Sequence, residues 1–401
     1  MKVCYLISAV SSDNTGRGGH YESLKILAES IYENGLDVEI VSLGDIFPPT
    51  FGNTSVKVRF IQFKKSDSLI QYIKKVADEI YDISPNVIHS FDNKSYFFAR
   101  LANVKIKCKL VLTKPGGPNP KLFFPRCNDL IVFSQENFAF FKSRSRYKDV
   151  NVHYLPNRAK KILCDDLRIR EIKELYDISG KVILRIARIC DSYKESFIQL
   201  INLVNGLNDQ GFSCTAVIIG FIQDQHVYDE IIALDCKYLR VVTEERYTKN
   251  ASALIDLCDY FLGTGRGVFE AALLNKLVFT TISSSRYPVI IDEDNIDELQ
   301  HNNFSPRSIL KNRTEASSKE FLSSVIQILS DEIKLNEKRK YILSVAKQRF
   351  DISSVMDSYM EIYLNCFPFK RNLIFDIILN SLVVLKVYAL LKLSKNKKAK
   401  A

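Results

Sequence analysis

YFLGTGRGVFEAALLNKLVFTTI, running from Tyr260 to Ile282, is the stretch on which the reading of the fold turns. It reads as a short apolar strand, a turn punctuated by glycine, a helix ending near Asn275 and a second apolar strand. Gly263, Gly265 and Gly267 let the backbone turn tightly and bring the first N–H groups of the helix close to a ligand. The turn also holds Thr264 and the fixed positive charge of Arg266. Glu270 follows Arg266 by one helical turn on the same face. Two readings are open: both charges face a bound nucleotide, or they pair with each other at an ordinary helix start.

Outward from this stretch the same alternation recurs. Upstream run a strand at Val182 to Ile186, a helix from Lys194 to Gln210 stopped by Gly211, and a strand at Thr215 to Ile219 with Gly220 at its tip. A helix from His226 to Leu234, a strand at Leu239 to Val242 and a helix from Ala251 to Cys258 complete this half. The first half opens with a strand from Lys2 to Val10, a loop containing Gly16, Gly18 and Gly19, a helix from Tyr21 to Asn34 and a strand at Val38 to Leu43. It continues through Val58 to Phe63, a helix to Ile83, Val87 and Ile88, Leu110 to Thr113 and Asp129 to Phe133. Such strand–helix alternation predicts parallel sheets. The Gly-x-Gly-Gly spacing of the first loop lacks the third glycine of a dinucleotide fingerprint, and no acid closes the second strand.

A chain of 401 residues exceeds one typical core. Two domains are expected, 1–158 and 172–345, with 346–370 crossing back to the first and 371–401 a basic tail. Nine cysteines stand singly, without Cys-x-x-Cys pairs or matching histidines, and read as reduced thiols in a cytosolic protein with no metal site. The apolar run after Lys2 is too short for a secretory signal and reads as a buried strand. Of the formal net charge of +10, the segment beyond Cys366 holds eight basic residues and one acid. The folded part is therefore nearly balanced, which argues against a nucleic-acid face.

The segments LRIARICDSYKES, VIIG and CDYFLGTGRGVFEAALLNK, with GGHYESLKILAESIYENGLDVEIVSLG in the first half, resemble the retaining nucleotide-sugar glycosyltransferases of family four, which include bacterial surface-polysaccharide enzymes. The resemblance covers about residues 1 to 365. It implies an α/β architecture of two Rossmann-like domains facing each other across a cleft, the GT-B fold. It places Arg188 and Lys194 on the donor diphosphate, Glu270 on the ribose, Gly220 near the base, and Gly18 and Gly19 near diphosphate and acceptor. Gly263, Thr264, Gly265, Arg266 and Gly267 would complete the donor site. On residue chemistry alone, Arg188 and Lys194 also fit a solvated basic loop. His89, at a strand end, and Lys114, where many members carry histidine, stand as polar contacts to the reacting sugar. For His89 a structural hydrogen-bond role is the competing reading, and Asp92 reads as a helix cap. Where the family has a second glutamate, eight residues before Glu270, this chain has Leu262, so the donor sugar stays open. The retaining mechanism requires neither an enzyme nucleophile nor a metal or other cofactor. Asp292, Glu293 and Asp294 resemble an acidic metal motif but lie in a late loop and read as surface.

The segment from Leu373 to Leu393 is apolar and long enough to span a bilayer, yet holds Asp376, Asn380, Lys386 and Lys392. With Lys395, Lys397, Lys398 and Lys400 behind it, it reads as a basic amphipathic helix lying on an anionic membrane. A true span and a soluble packing helix are the alternatives. The expected protein is a glycosyltransferase on the cytoplasmic membrane face, using a nucleotide-sugar donor and a lipid-linked or glycan acceptor. The rivals are an epimerase or phosphorylase of the same fold and a non-catalytic scaffold.

Overall fold

The computed structural model describes residues 1–9, 16, 18–64, 66–120, 124–311, 318–366 and 385. The tail from 371 onward, including Lys392, Lys395, Lys397, Lys398 and Lys400, therefore lies outside the described residues apart from Leu385. No helix among the described residues is long and apolar enough to cross a membrane. The chain divides into two compact units, Met1–Asn157 with Ile352–Ala401, and Arg158–Asp351.

In unit 1 the elements are β1 (Lys2–Ala9), α1 (Gly19–Glu33), β2 (Asp37–Gly44), β3 (Lys57–Gln62), α2 (Leu69–Ile83), β4 (Val87–Ser90), α3 (Asn93–Ile106), β5 (Lys109–Lys114), β6 (Asp129–Val132), α4 (Gln135–Ser143) and β7 (Asn151–Tyr154). The seven strands form one parallel sheet in the order β3-β2-β1-β4-β5-β6-β7. β1 shows why its sequence is a continuous apolar run. Cys4 and Leu6 join the cluster on one face of the sheet, and Val3, Tyr5 and Ile7 the cluster on the other. The edge strand β7 is absent from the elements predicted above. Its four residues pair with β6 while only Val152 is buried, so the apolar signal is weak.

Unit 2 holds α5 (Asp166–Leu175), β8 (Lys181–Ile186), α6 (Asp191–Asp209), β9 (Cys214–Ile219), α7 (Gln225–Ala233), β10 (Leu239–Val242), α8 (Glu245–Thr248), β11 (Tyr260–Gly263), α9 (Arg266–Leu273), β12 (Leu277–Thr280), β13 (Val289–Ile290), α10 (Ile296–His301), α11 (Ser318–Ser330) and α12 (Glu332–Val345). Its sheet order is β10-β9-β8-β11-β12-β13, and β13 departs from the parallel expectation by pairing antiparallel at the edge. The predicted helix over Ala251 to Cys258 is instead a 3-10 turn, Ala251–Leu257, entered from Asn250 in the left-handed conformation. α6 starts at Asp191, three residues before the predicted start.

After unit 2 the chain returns. Ile352 and Val355, then Met356, Tyr359, Ile362 and Tyr363 of α13 (Met356–Asn365), are buried in the same cluster as Val3, Tyr5 and Ile7. Their spacing is the i, i+3, i+4 stripe of a helix with one apolar face. All nine cysteines are free thiols, seven of them buried.

Candidate functional site

In unit 2 the strand order reverses between β8 and β11. In open parallel sheets the crevice beyond the carboxyl ends of the strands at such a reversal is where ligands bind. Three segments end there: the loop from β8 into α6, the tip of β9, and the turn from β11 into α9.

The β9 tip is shaped by Gly220. A Cβ on this residue would stand 1.8 Å from the carbonyl oxygen of Ala187, so only glycine permits the approach of the two chains beside Arg188. Gly265 precedes α9 with φ of +53° and ψ of −126°, a conformation that side-chain-bearing residues avoid. The first N–H groups of α9 have no intrahelical partners, and α9 follows this turn directly.

Arg188 is half-buried, donates from Nη1 to Gln223 Oε1 at 2.8 Å, and lies 5.8 Å from the centre of the Tyr193 ring. Lys194 stands in the first turn of α6 and pairs with Glu230 of α7, whose hydrogen bond raises the lysine pKa. Arg266 and Glu270 form the i, i+4 pair at 2.7 Å with both side chains largely buried. The second oxygen of Glu270 accepts from Ser252 Oγ at 2.9 Å. The internal-pair reading of these two residues is thus what the structure displays, while Nε of Arg266 is buried without a partner among the described residues. Gly263 packs its backbone against Val268, and Gly267 lies under the Phe261 ring.

Sequence reasoning missed Arg185, which is 2% exposed near the carboxyl end of β8. It donates to Ser196 Oγ at 3.1 Å, to the Leu262 carbonyl at 3.3 Å and to Thr264 Oγ1 at 3.0 Å. The available signal was a lone arginine inside the otherwise apolar strand VILRI, since a charged side chain is almost never fully buried without cause.

In unit 1 the reversal lies between β1 and β4. Asp92 bridges it, accepting from Ser8 N at 2.7 Å and Ser8 Oγ at 3.0 Å while capping α3 through Lys94 N and Ser95 N, each at 2.8 Å. Gly18 is the extended residue before α1, and Gly19 opens that helix with free space where a Cβ would stand.

Two expectations are corrected here. His89 does not face a ligand: it is fully buried, with Nδ1 2.8 Å from the Tyr363 hydroxyl and Nε2 2.7 Å from Thr113 Oγ1. Burial pushes its pKa down to about 3, so it is neutral. Lys114 is also buried, its ammonium donating to the carbonyls of Gly116 and Gly117 and to Asn137 Oδ1. Those bonds hold its own loop in place and commit the ammonium to protein oxygens. The Asp292 to Asp294 loop is tied by Lys338 of α12, 2.8 Å from Glu293 and 3.6 Å from Asp292.

No protein-family model and no curated protein matches the chain. Solved structures do. A glycosyltransferase from Rickettsia africae superposes with a TM-score of 0.64 at 13% identity, covering 90% of this chain and 98% of its own. Anabaena HepE, solved with UDP-glucose, gives 0.62 at 17% over 90% and 98%. The pneumococcal O-GlcNAc transferase GtfA, solved with UDP and GlcNAc, gives 0.59 at 10% over 90% and 98%. At such identities the likeness establishes the fold, and the chain has the GT-B architecture of two Rossmann-like domains.

Proposed function

We propose that this protein is a glycosyltransferase that moves a hexose-type sugar from a nucleoside diphosphate donor to a lipid-linked or surface-glycan acceptor, with retention and without a metal. The observation that carries the reading is the β8–β11 reversal, where Arg185 and Arg188 have no carboxylate within salt-bridge distance among the described residues and Lys194 lies one turn into α6. The solved structures of similar fold that hold UDP or UDP-glucose support it.

In this reading breakage of the sugar–oxygen bond moves negative charge onto the departing diphosphate. Arg188 and Lys194 stabilise that charge, and cations already held in place do so without reorganising. Glu270 accepts from the ribose hydroxyls while Arg266 holds it aimed. Thr264 and the amides after Gly265 complete the phosphate contacts. Unit 1 takes the acceptor, with Gly18 and Gly19 at its side, and the basic tail holds the enzyme on the cytoplasmic membrane face.

Thermal stabilisation against UDP, GDP, ADP and CMP tests the donor site. A ligand at 100 times its dissociation constant adds about 2.7 kcal/mol to stability. One nucleoside diphosphate is expected to shift the melting temperature; a chain that responds to none of them is not a transferase of this type. Lys194→Ala is expected to cut turnover about a hundredfold or more at an unchanged melting temperature.

A further inference from the structure

The side chain that the proposed chemistry leaves unexplained is Arg185. Its neighbour on the same face of β8, Ile183, is wholly buried among apolar side chains, so the guanidinium interrupts a core surface. Burial lowers its pKa to about 10, which leaves it charged at physiological pH. Its three acceptors are the Ser196 hydroxyl, the Leu262 carbonyl and the Thr264 hydroxyl, all neutral. The Tyr193 ring lies 5.4 Å from the guanidinium carbon, and the Arg188 guanidinium is 5.8 Å from the same ring. Two guanidinium groups thus share one aromatic ring, and neither has a carboxylate partner among the described residues. An isolated buried cation is costly, and an apolar side chain would fill the place more cheaply.

Thr264 shows where the missing negative charge belongs. Its oxygen accepts from Arg185 Nη2, and its own proton has no acceptor among the described residues. The residue is half-exposed and sits at the reversal point, in the turn before α9. A hydroxyl whose lone pair is taken by a guanidinium becomes a stronger donor and is turned outward.

We infer that Arg185 is a positioning residue of the donor site: it fixes the Thr264 hydroxyl as a donor to a phosphate oxygen and holds a buried positive charge that the bound diphosphate neutralises. This rests on the nucleotide-sugar reading above and assigns its phosphate contact to a pair of residues. Arg185 itself does not touch the ligand.

The test is titration calorimetry of UDP, GDP and ADP into the full chain and its variants, with the matching nucleoside as the phosphate-free control. Thr264→Val, which keeps shape and removes the hydroxyl, is expected to weaken diphosphate binding about tenfold or more. Thr264→Ser restores it, and nucleoside binding does not change. Arg185→Met gives a similar loss, and the double variant Arg185→Met/Thr264→Val is no weaker than Arg185→Met alone, because both act through one hydrogen bond. If Arg185→Met does not fold, the Thr264 pair of variants decides alone. Wild-type affinity in Thr264→Val overturns the inference, as do losses that multiply in the double variant or an equal loss of nucleoside binding. If the wild-type chain binds none of the three diphosphates, the donor-site reading falls first and takes this inference with it.

Discussion

Lowering the pH from 7 to 5 should weaken unit 1 through one side chain, His89. The imidazole is enclosed by Tyr5, Phe91, Tyr359 and Tyr363 and bonded to Thr113, and none of these carries a charge that would offset a proton. Burial also raises the pKa of Tyr5 and Tyr363, which therefore stay neutral. The folded pKa of His89 is about 3 against an ordinary 6.5. Between these values the unfolded chain binds a proton that the folded chain does not. The stabilisation is accordingly complete above pH 6.5 and is lost as pH falls toward 3. At pH 5 the loss is about 2 kcal/mol, from 1.5 units at 1.36 kcal/mol each. That is a sizeable part of a domain stability of about 5–15 kcal/mol. Guanidinium titration of the wild type and His89→Asn at both pH values isolates the effect, since the remaining histidines contribute equally to both. Hydrogen exchange in β4, β5 and α13 localises it to unit 1. The variant is less stable at pH 7, where Thr113 and Tyr363 lose their partner, and the gap between the two proteins should shrink by about 2 kcal/mol at pH 5. A gap of equal size at both pH values refutes the reasoning.

Gly220→Ala should destabilise unit 2 by about 3 kcal/mol in denaturant titration, because a Cβ 1.8 Å from the Ala187 carbonyl forces β8 and β9 apart. The same shift moves Arg188 and should weaken nucleotide binding. Asp92→Ala removes four hydrogen bonds at one stroke and should cost about 2 kcal/mol or more, read as faster amide exchange in the first turn of α3. In calorimetry, the nucleoside diphosphate that the wild-type protein binds should be preferred over its 2′-deoxy form, and Glu270→Gln should reduce that preference; an unchanged preference removes Glu270 from the ribose.

The strands were legible because most are buried on both faces, and a parallel strand buried on both faces is an uninterrupted apolar run. β7 escaped for the opposite reason, since Asn151 is exposed and His153 and Tyr154 are half-buried. The start of α6 was placed late because Asp191 and Ser192 look like loop, and Cys190 before them provides no side-chain cap. Arg266 with Glu270 was readable from spacing alone, as a contact one helical turn long must be. Contacts across sequence distance were not. Tyr363 meets His89 across 274 positions and Arg185 reaches Thr264 across 79, and a single sequence carries no record of such meetings.

Those long-range contacts separate the two units, which share the same inner strand order. At the β1–β4 reversal, Asp92 is a carboxylate supplied with four donors from its own chain. A diphosphate placed there would find those donors already spent on Asp92, whose pKa burial raises. At the β8–β11 reversal, Arg185 is a cation supplied only with neutral acceptors, and Arg188 beside it bonds to the Gln223 amide oxygen. The fold alone offers a crevice at each reversal. The polar groups at the two reversals decide between them: at β1–β4 the donors are spent on Asp92, whereas at β8–β11 two guanidinium groups bond to neutral oxygens and keep their charge for an anion.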